Sequence, residues 1–383
     1  MKTLNALKDK CLKTLSANHI DSSAGKLFVA GGNQFRTLWT RDFCYAVPGL
    51  LASGYADTVE RQLRLIYGFK NNENLLPRGI DVINPKTRVL KNTAFKFLAT
   101  EELKNYNKPL VPEYLGEHRT PAFDSNLLVM ISIAELGKFK KQKAIFFGEA
   151  IQPLLNFYDS YFENGLLNQP EYSDWQDSAR RTGSLLLTHL LYLRVLSLKE
   201  ELGLQIEESK IEALQTKIQL SFFRDQLLQE QPNLDQQSLD SYCYLIHHPE
   251  LLPTIDINKL YSNLKKSPLW QQSTIPGIPV WPEHSSQNVS WTTKIVGLRH
   301  YHDGLHWGWL VAEAAKIALL QKDIPEFERI AEYFSSAIAD NEFVSEIYIC
   351  TNSKLQPFQS FLYKSESPFT WSAAKWLEAL SYS

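Results

Sequence analysis

The chain has 383 residues, 44% of them hydrophobic and 21% charged, with a net charge of -2 and a pI near 6.5. That length and apolar fraction suit a single large folded domain spanning residues 1–383 and exclude a disordered chain. No basic stripe follows the sequence and no apolar run is long enough to span a bilayer, so neither nucleic acid nor a membrane is an expected partner.

The first predicted element is an amphipathic helix in "MKTLNALKDKCLKTLSANHI", which lacks the continuous apolar stretch of a signal peptide. Helical spacing then recurs in "FCYAVPGLLASGYADTVERQLRLIYGF", "FDSNLLVMISIAELGKF", "AIFFGEAIQPLLNFYDSYF" and "GSLLLTHLLYLRVLSLKEEL". It continues through "KIEALQTKIQLSFF", "LDSYCYLIHH", "INKLYSNLKK", "LHWGWLVAEAAKIALLQ", "FERIAEYFSSAIA" and "FTWSAAKWLEAL". Strand-like alternation is scarce, so roughly a dozen helices joined by Asn-, Pro- and Gly-rich loops predict an all-α protein. No fixed-period repeat points to a solenoid. Cys11, Cys44, Cys243 and Cys350 form no C-x-x-C pair, which argues against a disulfide framework or a thiolate zinc site and makes the cytoplasm the expected compartment.

The unusual polar residues precede helices: "LWTRD", "RTPAFDSN", "SDWQDSARRTG", "YHDGLHW" and "SPFTW". In a toroid of inner and outer helices, loops leading into the inner ring converge at one mouth, where residues distant in sequence share a pocket. Helix N-termini also favour carboxylates, so Asp42, Asp124, Asp177 and Asp303 equally suit plain caps or first-turn positions. The Pro/Ser-rich stretch "SPLWQQSTIPGIPVWPEHSSQNVS" reads as a structured loop over a site. Aromatics make up 12% of the chain, with nine tryptophans, several beside charged residues or histidine. Such faces suit sugar rings, whose C–H surfaces stack while hydroxyls bond around the rim.

No phosphate-cradling glycine loop and no G-x-S-x-G elbow is present; "GGN" at Gly31 lacks the remaining spacing. His302 and His306 stand at helical spacing, but no acidic residue has the register of an H-E-x-x-H site, so no metal is expected and the histidines read as pocket hydrogen-bonding groups. Paired carboxyl groups remain. Glycosidic hydrolysis needs one acid to protonate the leaving oxygen and one carboxylate to activate water or attack the sugar. Asp177, beside Trp175 at an expected helix start, is a candidate acid, and Asp174 is its rival.

"LWTRDFCYAVPGLLASG" resembles the Trp-x-Arg-Asp segment of the (α/α)6-barrel glycosidases, the group of the debranching-enzyme glucosidase domain, trehalase and processing α-glucosidase. The resemblance implies a six-hairpin toroid in which Trp39, Arg41 and Asp42 hold the released sugar. "SDWQDSARR" is similar to the acid-bearing segment, with the debranching spacing falling on Asp177 and leaving Asp174 and Trp175 beside it. "YHDGLHWGWLVAEAA" resembles a block that places Tyr301, His302 and Trp307 in the pocket wall, and "FDSNLLVMISIAEL" matches through Asp124. The C-terminal block "SEIYICTNSKLQPFQSFLYKSESPFTWSAAKWLEAL" implies Glu346 as general base and Trp371 as a pocket residue. It departs from the family where Ile349 follows Tyr348 in place of an aspartate, and no counterpart of the relatives' N-terminal β-domain is present, which favours a short substrate. The expectation is inverting hydrolysis of an α-glycoside without a cofactor. A phosphorylase, a sugar epimerase or isomerase using His302 and His306, and a non-catalytic carbohydrate-binding protein remain the alternatives.

Overall fold

The computed structural model describes residues 2–83, 105–142, 151–224 and 227–383. Among them are eleven helices of nine or more residues. They are α1 (Lys2–Asn18), α2 (Thr40–Ala52), α3 (Ala56–Gly68), α4 (Ser125–Lys140), α5 (Leu186–Ser197) and α6 (Glu208–Phe222), followed by α7 (Leu239–His247), α8 (Ile257–Lys266), α9 (Gly308–Leu320), α10 (Ile324–Ala337) and α11 (Thr370–Leu380). The helix expected over residues 144–162 lies partly outside the described residues, and its remainder forms the short helix Gln152–Asn156, packed on α4.

Side-chain chemistry sorts these helices into two rings. In α4 every residue from Ser125 to Ala134 is buried, in α9 every one from Gly308 to Ala318, and in α11 every one from Thr370 to Ala379. Helices with no solvent face belong in an interior ring. By contrast α3 buries the stripe Val59, Leu63 and Ile66, and α10 buries Phe327, Ile330, Ala331 and Phe334, each leaving a polar face outward. The contacts close the inner ring: α2 meets α4, then α5, α7, α9 and α11 follow, and α11 returns to α2. Outside it, α3 covers α2 and α4, α6 covers α5, α8 covers α7, α10 covers α9, and α1 lies against α10 and α11. The chain is therefore an all-α (α/α)6 toroid.

Within the ring α2 and α11 approach closely at Gly49. A Cβ on Gly49 would stand 1.9 Å from the Ala374 carbonyl oxygen, so only glycine permits that packing. Between α9 and α11, Lys316 and Lys375 each pair with both Glu313 and Glu378 at 2.8 Å. These buried charges neutralise one another, as burial of a charge requires.

Short ladders stand where the chain enters the inner helices. Leu38–Trp39 pairs with Gly79–Asp81, which pairs with Val111–Glu113; His306–Trp307 pairs with Ile347–Thr351, which pairs with Lys354–Pro357. Strands of two to five residues are too short to display a period-two pattern in the sequence. The four cysteines are unpaired. Among the described residues no helix is long and apolar enough to cross a membrane.

Candidate active site

A solvent-open cavity of about 90 Å³ sits where the inner helices begin. Its wall contains Trp39, Arg41 and Asp42 at the start of α2, Trp175 and Asp177 from the loop before α5, Tyr301 and Trp307 before α9, Glu346 and Trp371. Those are nine of the twelve residues singled out in the sequence. Phe35, Arg78 and Ala122 complete the wall.

Three expected residues stand behind it instead. Asp124 accepts two hydrogen bonds from Arg41, from Nε at 2.7 Å and Nη2 at 2.9 Å, so its carboxylate aims the guanidinium rather than meeting the cavity. Asp174 accepts from the Gln169 amide and the Gln176 N–H, both at 3.0 Å, and pairs with Arg181. With those donors around it, Asp174 is committed to folding the loop, and Asp177 is the member of the pair that faces the cavity. His302 lies flat on Trp307, with centroids 5.3 Å apart, and among the described residues neither ring nitrogen has a hydrogen-bond partner. Burial pushes its pKa well down, so it sits there as a neutral ring. The expected helical face shared by His302 and His306 is absent as well, because His306 lies in a strand opposite Tyr348.

Asp177 was expected at a helix start, yet α5 begins only at Leu186. The intervening chain is held by bridges between Gln169 and Gly183 and between Ala179 and Val289, and Gly183 has a positive φ of 85°. Asp177 therefore does not stand in the first turn of α5. Its neighbours are two guanidinium groups: Arg41 Nη1 at 3.3 Å and Arg78 Nη2 at 3.4 Å both reach Oδ2. Arg78 lies 4.9 Å over the Trp39 ring and 3.6 Å from Glu113. The ladder sets that position, since Trp39 pairs with Gly79 and the Thr40 N–H donates to the Arg78 carbonyl at 3.0 Å.

Glu346 stands on the residue before the strand Ile347–Thr351, and its carbonyl accepts the Gly308 N–H at 2.9 Å. It is 2% exposed. The Tyr301 hydroxyl donates to Oε1 at 2.6 Å and the Tyr363 hydroxyl donates to Oε2. Burial pushes the Glu346 pKa up to about 8, and the two phenols pull in the opposite direction. Burial likewise raises Asp42 to about 7, with Arg41 opposing and the charge of Asp177 adding to the rise. Two carboxyl groups that keep protons near neutrality thus face an aromatic wall.

That wall is organised around Trp175. Its ring meets Trp307, Trp309 and Trp371 edge-on at 5.2, 5.0 and 6.2 Å, and its N–H donates to Asp240. Trp371 is stacked on Tyr45 at 4.7 Å and on Trp309 at 4.5 Å. Among the described residues the buried Trp371 N–H has no hydrogen-bond partner.

The sequence analysis missed Phe35, Arg78, Ala122, Tyr363 and Glu366. Glu366 is fully buried and accepts the backbone N–H groups of Asn33 at 2.9 Å and Gln34 at 2.8 Å. It thereby fixes the loop that presents Phe35. A readable signal existed in "GGN": a Cβ on Gly31 would lie 2.4 Å from Glu366 Oε2, and one on Gly32 2.5 Å from the Pro368 ring. The two glycines make room for this clamp. Away from the cavity, Glu283, His300 and Asp303 offer ligand atoms within 4.8 Å of one another, but Asp303 already accepts from the His284 N–H and lies 3.0 Å from His300 Nδ1.

No family model and no curated protein matches this chain. Solved structures share its fold. A rhamnosidase from Klebsiella oxytoca with rhamnose bound superposes with a TM-score of 0.65 at 13% identity, over 98% of this chain and 63% of that one. The chain therefore spans less than two thirds of the rhamnosidase. A glycosidase in complex with glucose gives a TM-score of 0.62 at 10% identity, covering 99% of this chain and 97% of the other. The cellobiose 2-epimerase from Bacillus thermoamylovorans gives 0.62 at 9% identity, with the same coverage. At such identities the likeness is one of fold.

Proposed function

We propose that this protein is a glycoside hydrolase that releases a sugar from an α-glucoside or a short oligosaccharide by inversion, with Asp177 as acid and Glu346 as base. The observation that carries the reading is the shared cavity: the two carboxyl groups come from distant segments and line one aromatic-walled hollow. Asp177 would protonate the leaving oxygen, and Glu346 would take a proton from water on the other face of the ring. Arg41, held by Asp124, and Asp42 would hold ring hydroxyls, so that binding supplies orientation. Trp175, Trp307 and Trp371 offer the apolar surface a sugar ring stacks on. No cofactor enters the reaction, and four unpaired thiols fit a reducing compartment.

The alternatives draw less support. Among the described residues no histidine lines the cavity, whereas epimerisation through paired histidines needs two there. A phosphorylase would replace the base with a phosphate pocket, yet Glu346 occupies the wall, and Arg41 and Arg78 are engaged by Asp124, Glu113 and Asp177. One further reading has a specific observation in its favour. Because Glu346 keeps its proton to about 8 and Asp177 contacts two guanidiniums, Glu346 could be the acid and Asp177 the base.

Asp177→Asn tests the proposal. With an aryl α-glucoside, kcat should fall by roughly 10²–10⁴ while binding of the product sugar is kept. Undiminished turnover would remove Asp177 from the chemistry, and the anomer of the first-formed product, read by NMR, decides inversion against retention.

A further inference from the structure

Three large apolar side chains stand in solvent on two segments that flank the cavity. Trp291 is 66%, Ile295 60% and Phe361 93% exposed. Trp291 and Ile295 are one turn apart on the short helix Trp291–Ile295 and so share a face. That helix is tied to the residue after Asp177, because the Ser290 N–H donates to the Ser178 carbonyl at 2.8 Å. Phe361 occupies a turn closed by the Ser360 N–H on the Tyr363 carbonyl at 2.7 Å, and Tyr363 is the residue whose phenol holds Glu346. The Ser360 hydroxyl donates to the Val296 carbonyl at 2.6 Å, so the two segments touch.

One arch therefore runs from the Asp177 loop to the Glu346 strand, and apolar side chains stand uncovered along it. Clustered exposed apolar groups beside a cleft mark contact with a ligand or partner. The cavity opens to solvent, so whatever part of a substrate lies beyond the sugar held at Arg41 and Asp42 leaves through its rim.

We infer that Trp291, Ile295 and Phe361 form a subsite for the leaving group, which presents a flat C–H or aromatic face of sugar-ring size. This rests on reading the cavity as a glycosidase site. A rigid indole and a phenyl ring at the rim supply stacking area with few rotamers to freeze, and the absence of a charged side chain among the three favours a neutral group.

The test compares wild type with the double variant Trp291→Ala/Phe361→Ala on a disaccharide, an aryl glycoside and a methyl glycoside of the same departing sugar. Because both side chains are exposed, the melting temperature should not change. We expect KM for the first two substrates to rise about tenfold, the loss of one stacking contact or two, with kcat kept and the methyl glycoside unaffected. A rise confined to the disaccharide assigns the subsite to sugar, and a rise confined to the aryl glycoside assigns it to an aryl group; either supports it. Equal effects on all three substrates, or none on any, would overturn the subsite. So would a wild-type dimer in sedimentation that the variant dissolves, since a second copy would then cover the patch. Calorimetric binding of the disaccharide and of the free monosaccharide separates the two ideas: weakened disaccharide binding in an enzyme that hydrolyses nothing leaves the subsite standing and removes the hydrolase reading.

Discussion

Tyr363→Phe deletes one O–H and leaves the ring, so it isolates the hydrogen bond to Glu346 Oε2. That bond favours the charged carboxylate and holds the Glu346 pKa below where burial alone would put it. A hydrogen bond to a charged group contributes roughly 1.5–3 kcal/mol, and one pKa unit corresponds to about 1.4 kcal/mol. Removal should therefore raise the group from about 8 to roughly 9–10. If Glu346 is the base it works ionised, so kcat/KM should rise with pH through an acidic limb near 8 in wild type, and that limb should move upward in the variant. At pH 7 the variant should lose roughly tenfold to hundredfold in kcat/KM, and recover most of it above the shifted limb. The assay is initial rate on an aryl α-glucoside between pH 5 and 10, with the melting temperature followed across the same range. An unmoved limb would refute the electrostatic reasoning. A wild-type rate that falls, rather than rises, as pH passes 8 would mean that the active enzyme carries one proton shared between the two carboxyl groups, and comparing Glu346→Gln with Asp177→Asn on substrates with good and poor leaving groups would then assign the donor.

Two structural predictions accompany this one. Gly49→Ala forces a methyl group onto the Ala374 carbonyl, 1.9 Å from its ideal Cβ, and the resulting overpacking of α2 on α11 should cost about 1–3 kcal/mol, read as a lower melting temperature; an unchanged one would deny that the ring closes there. Glu366→Gln sets an amide N–H against one of the two backbone N–H groups it now accepts, which should loosen the loop presenting Phe35 and raise KM more than it lowers kcat. A proportional fall in kcat with unchanged KM would place Glu366 in the chemistry instead.

The helices were legible because their two kinds of patterning differ. Segments such as Gly308–Ala318 are apolar on nearly every side, broken only by Glu313 and Lys316, and segments such as Ala56–Gly68 on one, and that alternation along the chain is the inner and outer order of the toroid. Trp39, Arg41 and Asp42 stood out through the resemblance of "LWTRD" to a Trp-x-Arg-Asp segment, since a carboxylate at a helix start by itself equally suits a plain first-turn position. Asp177 stood out through its place two residues after Trp175, but the helix it was expected to begin is absent there, because Gly183 and two β-bridges hold its segment in another course.

What the sequence concealed depends on loop closure. Nothing beside Arg78 in "LLPRGI" marks it, and only the pairing of Gly79 with Trp39 carries its guanidinium to Asp177. Tyr363 and Glu366 follow the predicted base by many residues. They reach the site because the chain turns back after Lys354–Pro357, so that the Glu346 N–H donates to the Glu366 carbonyl at 2.9 Å. The same turn puts the Tyr363 phenol on Glu346 and the Glu366 carboxyl under the Gly31–Gly32 loop. A single hairpin after Glu346 thus sets both the proton affinity of the proposed base and the wall formed by Phe35. A lesion there should change binding and pH dependence together, whereas a lesion at Arg78, on the other ladder, should act through Asp177 and the Trp39 ring it covers.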